Sequence, residues 1–302
     1  GTIGDVQGLA QAAHAHDVPL IVDAAWAAHF GFHPDLPPHP LQCGADAMVT
    51  SAHKTLPAWS QAALVLARTD RIDPARLDAG VEATATTSPA GAILASTDAS
   101  RALLERDGRE LLGLAIAATR AARDRLQQVD GLAVLDGPDV DPLKLTLVLS
   151  GTGADGNSVE RDLIAAGMPV ESADRDVLTA IVTLADTEQS LARLADCIDA
   201  SIDRHRGDPR PPEEPAAYCV EPVVIVPPRE AFFAAAEPIA TNDGVGRVSA
   251  ELIAPYPPGI PVLAPGEEVT PAVLEALVRA RTAGIRIAYA ADPSLSTIRV
   301  MT

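Results

Sequence analysis

The sequence predicts an α/β protein, and two observations carry this prediction. Short, largely apolar runs recur at residues 19–22, 45–50 and 62–67, and the stretches around them have the apolar spacing of helices. A wholly apolar run such as residues 19–22 is typical of a strand that is buried on both faces of a parallel sheet. Strands that alternate with helices along a chain favour an α/β architecture.

Composition limits the kinds of partner. The 302 residues can bury a substantial core in two or three units, and 47% hydrophobic with 21% charged residues is ordinary for a globular protein. Lys and Arg total 23 against 41 Asp and Glu, a formal net charge of −18. This balance argues against nucleic acid, which requires clustered cations, and suits a cationic substrate. No apolar stretch reaches membrane-spanning length, so we expect no membrane association.

The first elements end in chemically active side chains. Residues 5–16 have the pattern of a helix, and the strand at 19–22 ends at Asp23. The second apolar run is followed by Ser51, His53 and Lys54. Because ligands of open α/β sheets bind outside the carboxyl ends of the strands, we expect these groups at one edge of the sheet.

The rest of the chain continues the alternation. A long helix is predicted over residues 98–129, with an interruption near Gly108, and it connects to a second α/β unit. Proline and charge are dense at 206–222, as in a linker. The other predicted elements are a strand at 143–149, a helix at 159–166, a strand at 177–184, a helix at 191–204, a helix at 271–283 and two short closing strands.

Asp23 and Lys54 together favour pyridoxal phosphate chemistry. That cofactor needs a lysine amine to form a Schiff base and a carboxylate to keep its pyridine nitrogen protonated. Alone, each residue has an ordinary interpretation, since lysines after strands are often solvated and carboxylates often cap helices. The pair, about thirty residues apart at two strand ends, predicts a pyridoxal-phosphate enzyme.

Cysteine and histidine do not indicate a metal site or a disulfide framework. Cys43, Cys197 and Cys219 are far apart and odd in number, and none has ligand spacing. His33 and His39 lack acidic or thiol partners at ligand spacing, so we interpret them as loop residues. We therefore predict no metal.

Four stretches resemble the bacterial ornithine/lysine/arginine decarboxylases. The most specific is the run Pro255-Tyr256-Pro257-Pro258-Gly259-Ile260-Pro261, followed by Pro265-Gly266-Glu267, downstream of Ser-x-His-Lys. The resemblance implies the aspartate-aminotransferase-like fold of pyridoxal-phosphate enzymes (fold type I) with an added carboxy-terminal domain. The stretches are Val22–Phe32, Ser51–Gln61, Thr86–Pro89 and Ala250–Glu267.

The resemblance also implies a domain order. Residues 1–110 are similar to the carboxy-terminal part of the large domain, 111–206 to the small α/β domain, and 223–302 to the α+β carboxy-terminal domain, after a linker at 207–222. Family members carry an earlier stretch with a phosphate-gripping turn and a histidine that stacks on the cofactor. We therefore expect a carboxy-terminal portion of a longer cytoplasmic enzyme, weakly active or inactive alone.

The resemblance assigns roles to the residues around the lysine. Lys54 would hold the cofactor as a Schiff base, Asp23 would pair with its pyridine nitrogen, and Ala25 would pack against one ring face. Ser51 would bind the phosphate, and His53 would contact the phosphate or assist proton transfer. The alternative for His53 is a purely structural histidine.

Two further residues are implied by the resemblance alone. Thr87 would reach the cofactor phosphate of a neighbouring subunit in a homodimer or higher homo-oligomer, or else it caps a loop. Glu267 would recognise the distal cation of the substrate, or else it is a carboxylate at the start of a helix. The family pattern after the aspartate is often Glu-Ala-His-Gly, whereas this chain has Ala24-Ala25-Trp26-Ala27.

The implied reaction is decarboxylation of arginine, lysine or ornithine to the amine and CO2. One alternative is a non-catalytic remnant that pairs with an intact decarboxylase subunit. Another is a pyridoxal-phosphate aminotransferase or carbon–sulfur lyase, which shares the Asp/Lys pair but does not account for residues 255–267.

Overall fold

The computed structural model describes residues 1–68, 70–212, 220–256 and 259–302. Two compact units divide the chain. The first unit comprises Gly1–Val148, Leu163–Glu171 and Thr179–Arg204, and the second unit comprises Leu149–Asp162, Ser172–Leu178 and His205–Thr302. The predicted linker at 207–222 and the predicted proline run at 255–261 include residues 213–219 and 257–258, which lie outside the described residues.

A three-stranded sheet in the first unit carries the predicted site. Its order is β1-β2-β3, with β1 parallel to β2 and β3 antiparallel to β2. In the register of β1 and β2, Asp23 lies opposite Val49. The elements of this region are α1 (Val6–His14), β1 (Ile21–Asp23), β2 (Ala47–Thr50), α2 (Ala52–Thr55), β3 (Leu64–Ala67) and α3 (Pro74–Thr84).

Polar side chains fix the position of α1 and β1. Asp5 caps α1 by accepting a hydrogen bond from the backbone N–H of Gly8 at 2.8 Å. The buried carboxylate of Asp46 accepts from the N–H of Leu20 at 2.8 Å and contacts Nε2 of His14 at 2.7 Å. The residue before β2 thus holds the turn between α1 and β1, which aligns the two strands.

The prediction that residues 19–22 form a strand buried on both faces is wrong. Ile21 is 62% exposed, Val49 is 40% exposed and Val65 is 44% exposed, whereas Met48 is only 1% exposed. Successive side chains of a strand point to opposite faces, so this sheet is covered on one face and open on the other within the described residues. An apolar run shows that both faces of a strand can be buried. It does not show which face is covered by another element.

The long helix α4 (Gly91–Leu126) is continuous, so the predicted interruption near Gly108 is wrong. Gly108 is buried, and a Cβ atom there would lie 3.2 Å from Cδ2 of Leu104. The glycine therefore serves close packing and does not break the helix. The buried face of α4 builds the core of the first unit, whose largest members are Leu36, Leu104, Leu112, Ile116, Leu143 and Leu191.

A second sheet follows α4. It has four strands in the order β4-β5-β7-β6. Its strands and the adjoining helices match the predicted alternation of strand and helix. They are β4 (Ala133–Val134), β5 (Lys144–Val148), α5 (Gly156–Ala165), β6 (Ser172–Ala173), β7 (Val177–Ile181) and α6 (Glu188–His205).

The remaining elements of the second unit form a small α+β arrangement. Two antiparallel pairs, β10 with β9 and β11 with β8, accompany a helix capped by Thr270. Ile253, Leu263, Val273 and Leu277 are central members of its core. The elements are α7 (Pro228–Phe233), β8 (Ala236–Ala240), β9 (Ala254–Tyr256), α8 (Pro271–Thr282), β10 (Arg286–Ala288) and β11 (Thr297–Met301). Among the described helices, none combines the length and apolar character needed to cross a bilayer.

Candidate active site

Asp23 is the last residue of β1 and lines a cavity of about 370 Å³ together with Ala25 and Trp26. Its side chain is exposed, and Oδ1 accepts a hydrogen bond from the backbone N–H of Ala25 at 3.0 Å. The second carboxylate oxygen has no hydrogen bond from any described residue. Asp23 therefore presents a carboxylate that a ligand can reach.

Ser51, His53 and Lys54 follow the end of β2 in the short helix α2. The two strand ends are tied together, because Oγ1 of Thr50 donates to the carbonyl of Ala24 at 2.8 Å. Since β1 and β2 are parallel, their carboxyl ends lie at the same edge of the sheet. The structure thus brings Asp23 and the Ser51–Lys54 segment to one edge, as the sequence predicts.

Lys54 has an amine without a polar partner. It is half-buried, and Nζ makes no hydrogen bond or ion pair with any described residue. The nearest group is the ring of Trp26, whose centroid lies 5.9 Å from Nζ. This cation–π contact leaves the amine available to an incoming electrophile.

His53 is oriented by one hydrogen bond. Its Nδ1 lies 2.8 Å from the carbonyl oxygen of Ala62, an acceptor, so Nδ1 carries the proton. In the neutral ring Nε2 is then an acceptor. Ser51 precedes α2, and its half-buried hydroxyl makes no capping hydrogen bond to that helix.

Asp23 and Lys54 line different cavities. Lys54 lies on a second cavity of about 550 Å³. Its other lining residues are 167–171, 180–182, Asp186, Ser190, Leu191, Arg193 and Leu194. Trp26 is adjacent to both residues' surroundings. It lines the cavity of Asp23, and its ring contacts Lys54.

A buried lysine that the sequence did not indicate lies beside this site. Lys144, at the start of β5, is 1% exposed and lines the same cavity as Asp23. Its Nζ donates to Oδ2 of Asp141 at 3.0 Å and to the carbonyl of Trp26 at 3.3 Å, and lies 6.0 Å from the Trp26 ring centroid. The available signal was a lysine three residues after an aspartate, at the head of an apolar strand.

His29 completes this buried cluster. Its Nε2 lies 3.2 Å from Oδ2 of Asp141, and its Nδ1 has no hydrogen-bond partner among the described residues. Burial lowers the pKa of His29, and burial likewise lowers the pKa of Lys144 against the opposing charges of Asp141 and Glu171. Burial opposes ionisation of Asp141, yet the hydrogen bond of His29 and the charge of Lys144 outweigh it and hold the Asp141 pKa below its usual value. The cluster is therefore built around an ionised aspartate.

Neither Thr87 nor Glu267 is among the residues that line the two cavities. Thr87 is exposed in the connection between α3 and α4, and it lines neither cavity. Glu267 belongs to the second unit, where Oε2 accepts from the N–H of Ala264 at 2.8 Å. Helix α8 is capped by Thr270, whose Oγ1 accepts from Val273 at 3.2 Å. The carboxylate of Glu267 thus closes a turn and does not cap the helix.

The chemistry at the sheet edge fits pyridoxal phosphate. Asp23 offers a carboxylate oxygen for a protonated pyridine nitrogen, and Lys54 offers an amine with no competing carboxylate. Ser51 offers a hydroxyl donor for a phosphate oxygen. These residues could hold the cofactor.

Two models of one family match most of the chain. The model for the Orn/Lys/Arg decarboxylase major domain matches residues 1–137, and the model for the Orn/Lys/Arg decarboxylase C-terminal domain matches residues 214–284. The chain belongs to the Orn/Lys/Arg decarboxylase family. The resemblance noted from the sequence is thereby confirmed.

Relatives of this chain include two proteins named arginine decarboxylase. That of Halalkalibacterium halodurans is 32% identical over 311 residues, which cover 100% of this chain and 63% of the relative. That of Bacillus subtilis is 30% identical over 312 residues, covering 100% of this chain and 64% of the relative. The chain thus spans slightly less than two thirds of the length of these relatives.

A solved structure identifies the fold. The constitutive lysine decarboxylase of Escherichia coli superposes with a TM-score of 0.77 at 21% sequence identity, covering 100% of this chain and 56% of that one. The fold is the α/β fold of type I pyridoxal-phosphate enzymes, as predicted.

Proposed function

We propose that this chain carries the lysine and the aspartate of a pyridoxal-phosphate-dependent decarboxylase that acts on arginine, lysine or ornithine. The observation that carries the proposal is the parallel register of β1 and β2, which brings Asp23 and Lys54 to one edge of the sheet. Family membership and the two related arginine decarboxylases support the reaction class.

Asp23 and Lys54 have separate tasks. Lys54 would hold the cofactor through its amine, the group that forms a Schiff base with the cofactor aldehyde. Asp23 accepts the hydrogen of the pyridine nitrogen and so favours the protonated ring. The cofactor, when bound, withdraws electrons from the α-carbon of the substrate, which allows the carboxylate to leave as CO2.

The surrounding residues orient these two. Ser51 donates to the phosphate, and Ala25 packs against the ring face. His53, whose Nδ1 is committed to Ala62, has Nε2 as its proton acceptor, which suits a proton-transfer role. Thr87 reaching across a homodimer stays a prediction of the family resemblance.

Borohydride trapping tests the cofactor site. The full chain is incubated with pyridoxal phosphate, reduced, digested and mapped by mass spectrometry. We expect the label on Lys54 and none on Lys144, because the amine of Lys144 is buried and paired with Asp141. Asp23→Asn should reduce labelling at Lys54, because the pyridine nitrogen of the cofactor then lacks its carboxylate partner.

The outcomes separate the candidate functions. Labelled Lys54 with CO2 released from a basic amino acid supports the proposal, and a keto-acid product would indicate an aminotransferase instead. Labelling of Lys144 without labelling of Lys54 would rule the proposal out.

A further inference from the structure

The cavity beside Lys54 has the character of a small-ligand site. Its volume of about 550 Å³ is within the range of small-molecule pockets. Apolar side chains, among them Met168, Val170 and Leu194, form much of its wall. Such a wall suits the methylene stem of a long side chain, as lysine and arginine stems pack along apolar surface.

Two carboxylates line this cavity, and one of them is already used. Oδ2 of Asp186 accepts from the N–H of Thr183 at 2.9 Å and from its Oγ1 at 3.3 Å. Oδ1 of Asp186 accepts from Oγ of Ser190 at 3.2 Å. Asp186 therefore organises the start of α6, and its lone pairs are directed to the protein.

Glu171 is the other carboxylate. Its backbone is fixed, since its N–H donates to the carbonyl of Thr179 at 3.0 Å, while its side chain is exposed. Within the described part of the chain, that side chain makes no hydrogen bond or ion pair. Its negative charge acts on Lys144, so the carboxylate lies within electrostatic reach of the cation beside Trp26.

We propose that Glu171 binds the distal cation of the substrate, with the methylene stem along the apolar wall and the α-amine directed to Lys54. This assignment rests on the proposed function, because it takes Lys54 as the residue that meets the α-amine. The other basic residue that lines the cavity besides Lys54 is Arg193, which is exposed and donates to the carbonyl of Ala166 at 3.4 Å. Glu171 thereby becomes a specificity-determining residue for basic over neutral amino acids.

The assignment differs from the one that the family resemblance implies. Glu267 was expected to recognise the distal cation; its Oε2 accepts from the N–H of Ala264, and Glu267 is not among the residues that line the cavity of Lys54. Glu267→Gln keeps an acceptor for that N–H and removes the charge. It is therefore a matched control for Glu171→Gln.

Equilibrium binding of charged and neutral isosteres tests the proposal. Calorimetry on the full chain, with and without pyridoxal phosphate, compares arginine with citrulline and lysine with norleucine. We expect Glu171→Gln to weaken arginine and lysine about 10-fold or more and to leave citrulline and norleucine unchanged, since a hydrogen bond to a charged group contributes about 1.5–3 kcal/mol. Glu267→Gln should keep the preference for the charged ligands, and Glu171→Asp should lose only part of it.

Other results would overturn the assignment. If Glu171→Gln weakens charged and neutral ligands equally, Glu171 acts only on the electrostatics of Lys144 and does not recognise the substrate. If the preference disappears in Glu267→Gln and persists in Glu171→Gln, the cation is bound by Glu267. Labelling of Lys54 in each variant reports folding and the proposed function separately, because it does not depend on the distal cation.

Discussion

The ion pair of Lys144 with Asp141 is a buried charge pair on which the segment around Trp26 depends. Lys144→Met keeps the length of the side chain and leaves the carboxylate of Asp141 without its cation. We expect this change to lower the free energy of unfolding by about 3–5 kcal/mol, because an unpaired buried charge is strongly destabilising. Urea denaturation measures the loss.

Two comparisons make this prediction specific. Lys144→Met with Asp141→Asn should cost less than the sum of the two single changes, since neither charge is then left alone. Arg101→Met removes two exposed ion pairs on α4, with Asp98 and Glu105, and should change stability little. Equal losses for Lys144→Met and Arg101→Met would show that the Lys144 pair is not desolvated in solution.

His29 should make the stability of the protein fall in mild acid. Burial lowers the pKa of His29 in the folded state, whereas the pKa of an unfolded histidine is about 6.5. Below about pH 6.5 the unfolded chain binds a proton at His29 that the folded chain does not bind. The contribution of His29 to stability is therefore complete above this pH, and it is lost as the pH falls towards the pKa of the folded state.

Denaturant titrations between about pH 7 and pH 5 measure this effect as a slope of at most about 1.4 kcal/mol per pH unit for one group. His29→Gln should reduce the slope. His39, whose pKa burial also lowers, contributes in the same window, so His39→Gln is the matched comparison. An unchanged slope in His29→Gln would contradict the prediction. The carboxyl of Asp141 acts in a separate, more acidic window.

At this scale the sequence predicted that Asp23 and Lys54 follow strand ends, and it missed the buried Lys144. Asp23 and Lys54 follow apolar runs, and that local signal places each side chain at a strand end. The contacts of Lys144 are not local, because its Nζ meets a carbonyl 118 positions earlier in the chain. Only the folded chain brings Trp26 between the two lysines.

The alternation of buried and exposed side chains along β2 predicts that substitutions at adjacent residues differ in their cost to stability. Met48 is 1% exposed and Val49 is 40% exposed. Met48→Ala should lower the free energy of unfolding by about 2–5 kcal/mol, as core truncations do, and Val49→Ala should cost far less. Thermal or urea unfolding of the two variants checks this. A similar loss in both would mean that the open face of the sheet is covered in solution.

The positions of helices and strands could be predicted from the sequence, whereas the burial of their faces could not. The predicted strand at 143–149 and helix at 191–204 correspond to β5 and α6, because strand and helix periods are properties of the local sequence. The open face of β1–β3 and the unbroken α4 depend on what packs against them. Gly108 illustrates this, since helix propensity alone disfavours glycine, yet Gly108 lies buried within the continuous α4.

At the scale of the molecule, the two compact units contain separate clusters of buried residues. Leu112 belongs to the core that α4 builds, and Leu263 belongs to the core around α8. The two clusters share no residue. The candidate residues Asp23, Lys54 and Lys144 all lie in the first unit, so their geometry depends on the first core.

Leu263→Ala and Leu112→Ala should therefore act on different parts of the chain. Each side chain is at most 1% exposed, and each truncation should cost about 2–5 kcal/mol. We expect Leu263→Ala to accelerate amide hydrogen exchange in α8 and β11, and Leu112→Ala to accelerate it in α4 and β5, because exchange reports local and subglobal opening. Lys54 labelling should fall in Leu112→Ala and persist in Leu263→Ala. Uniform acceleration across both units in either variant would show that the chain opens as one cooperative body, and the site would then depend equally on both cores.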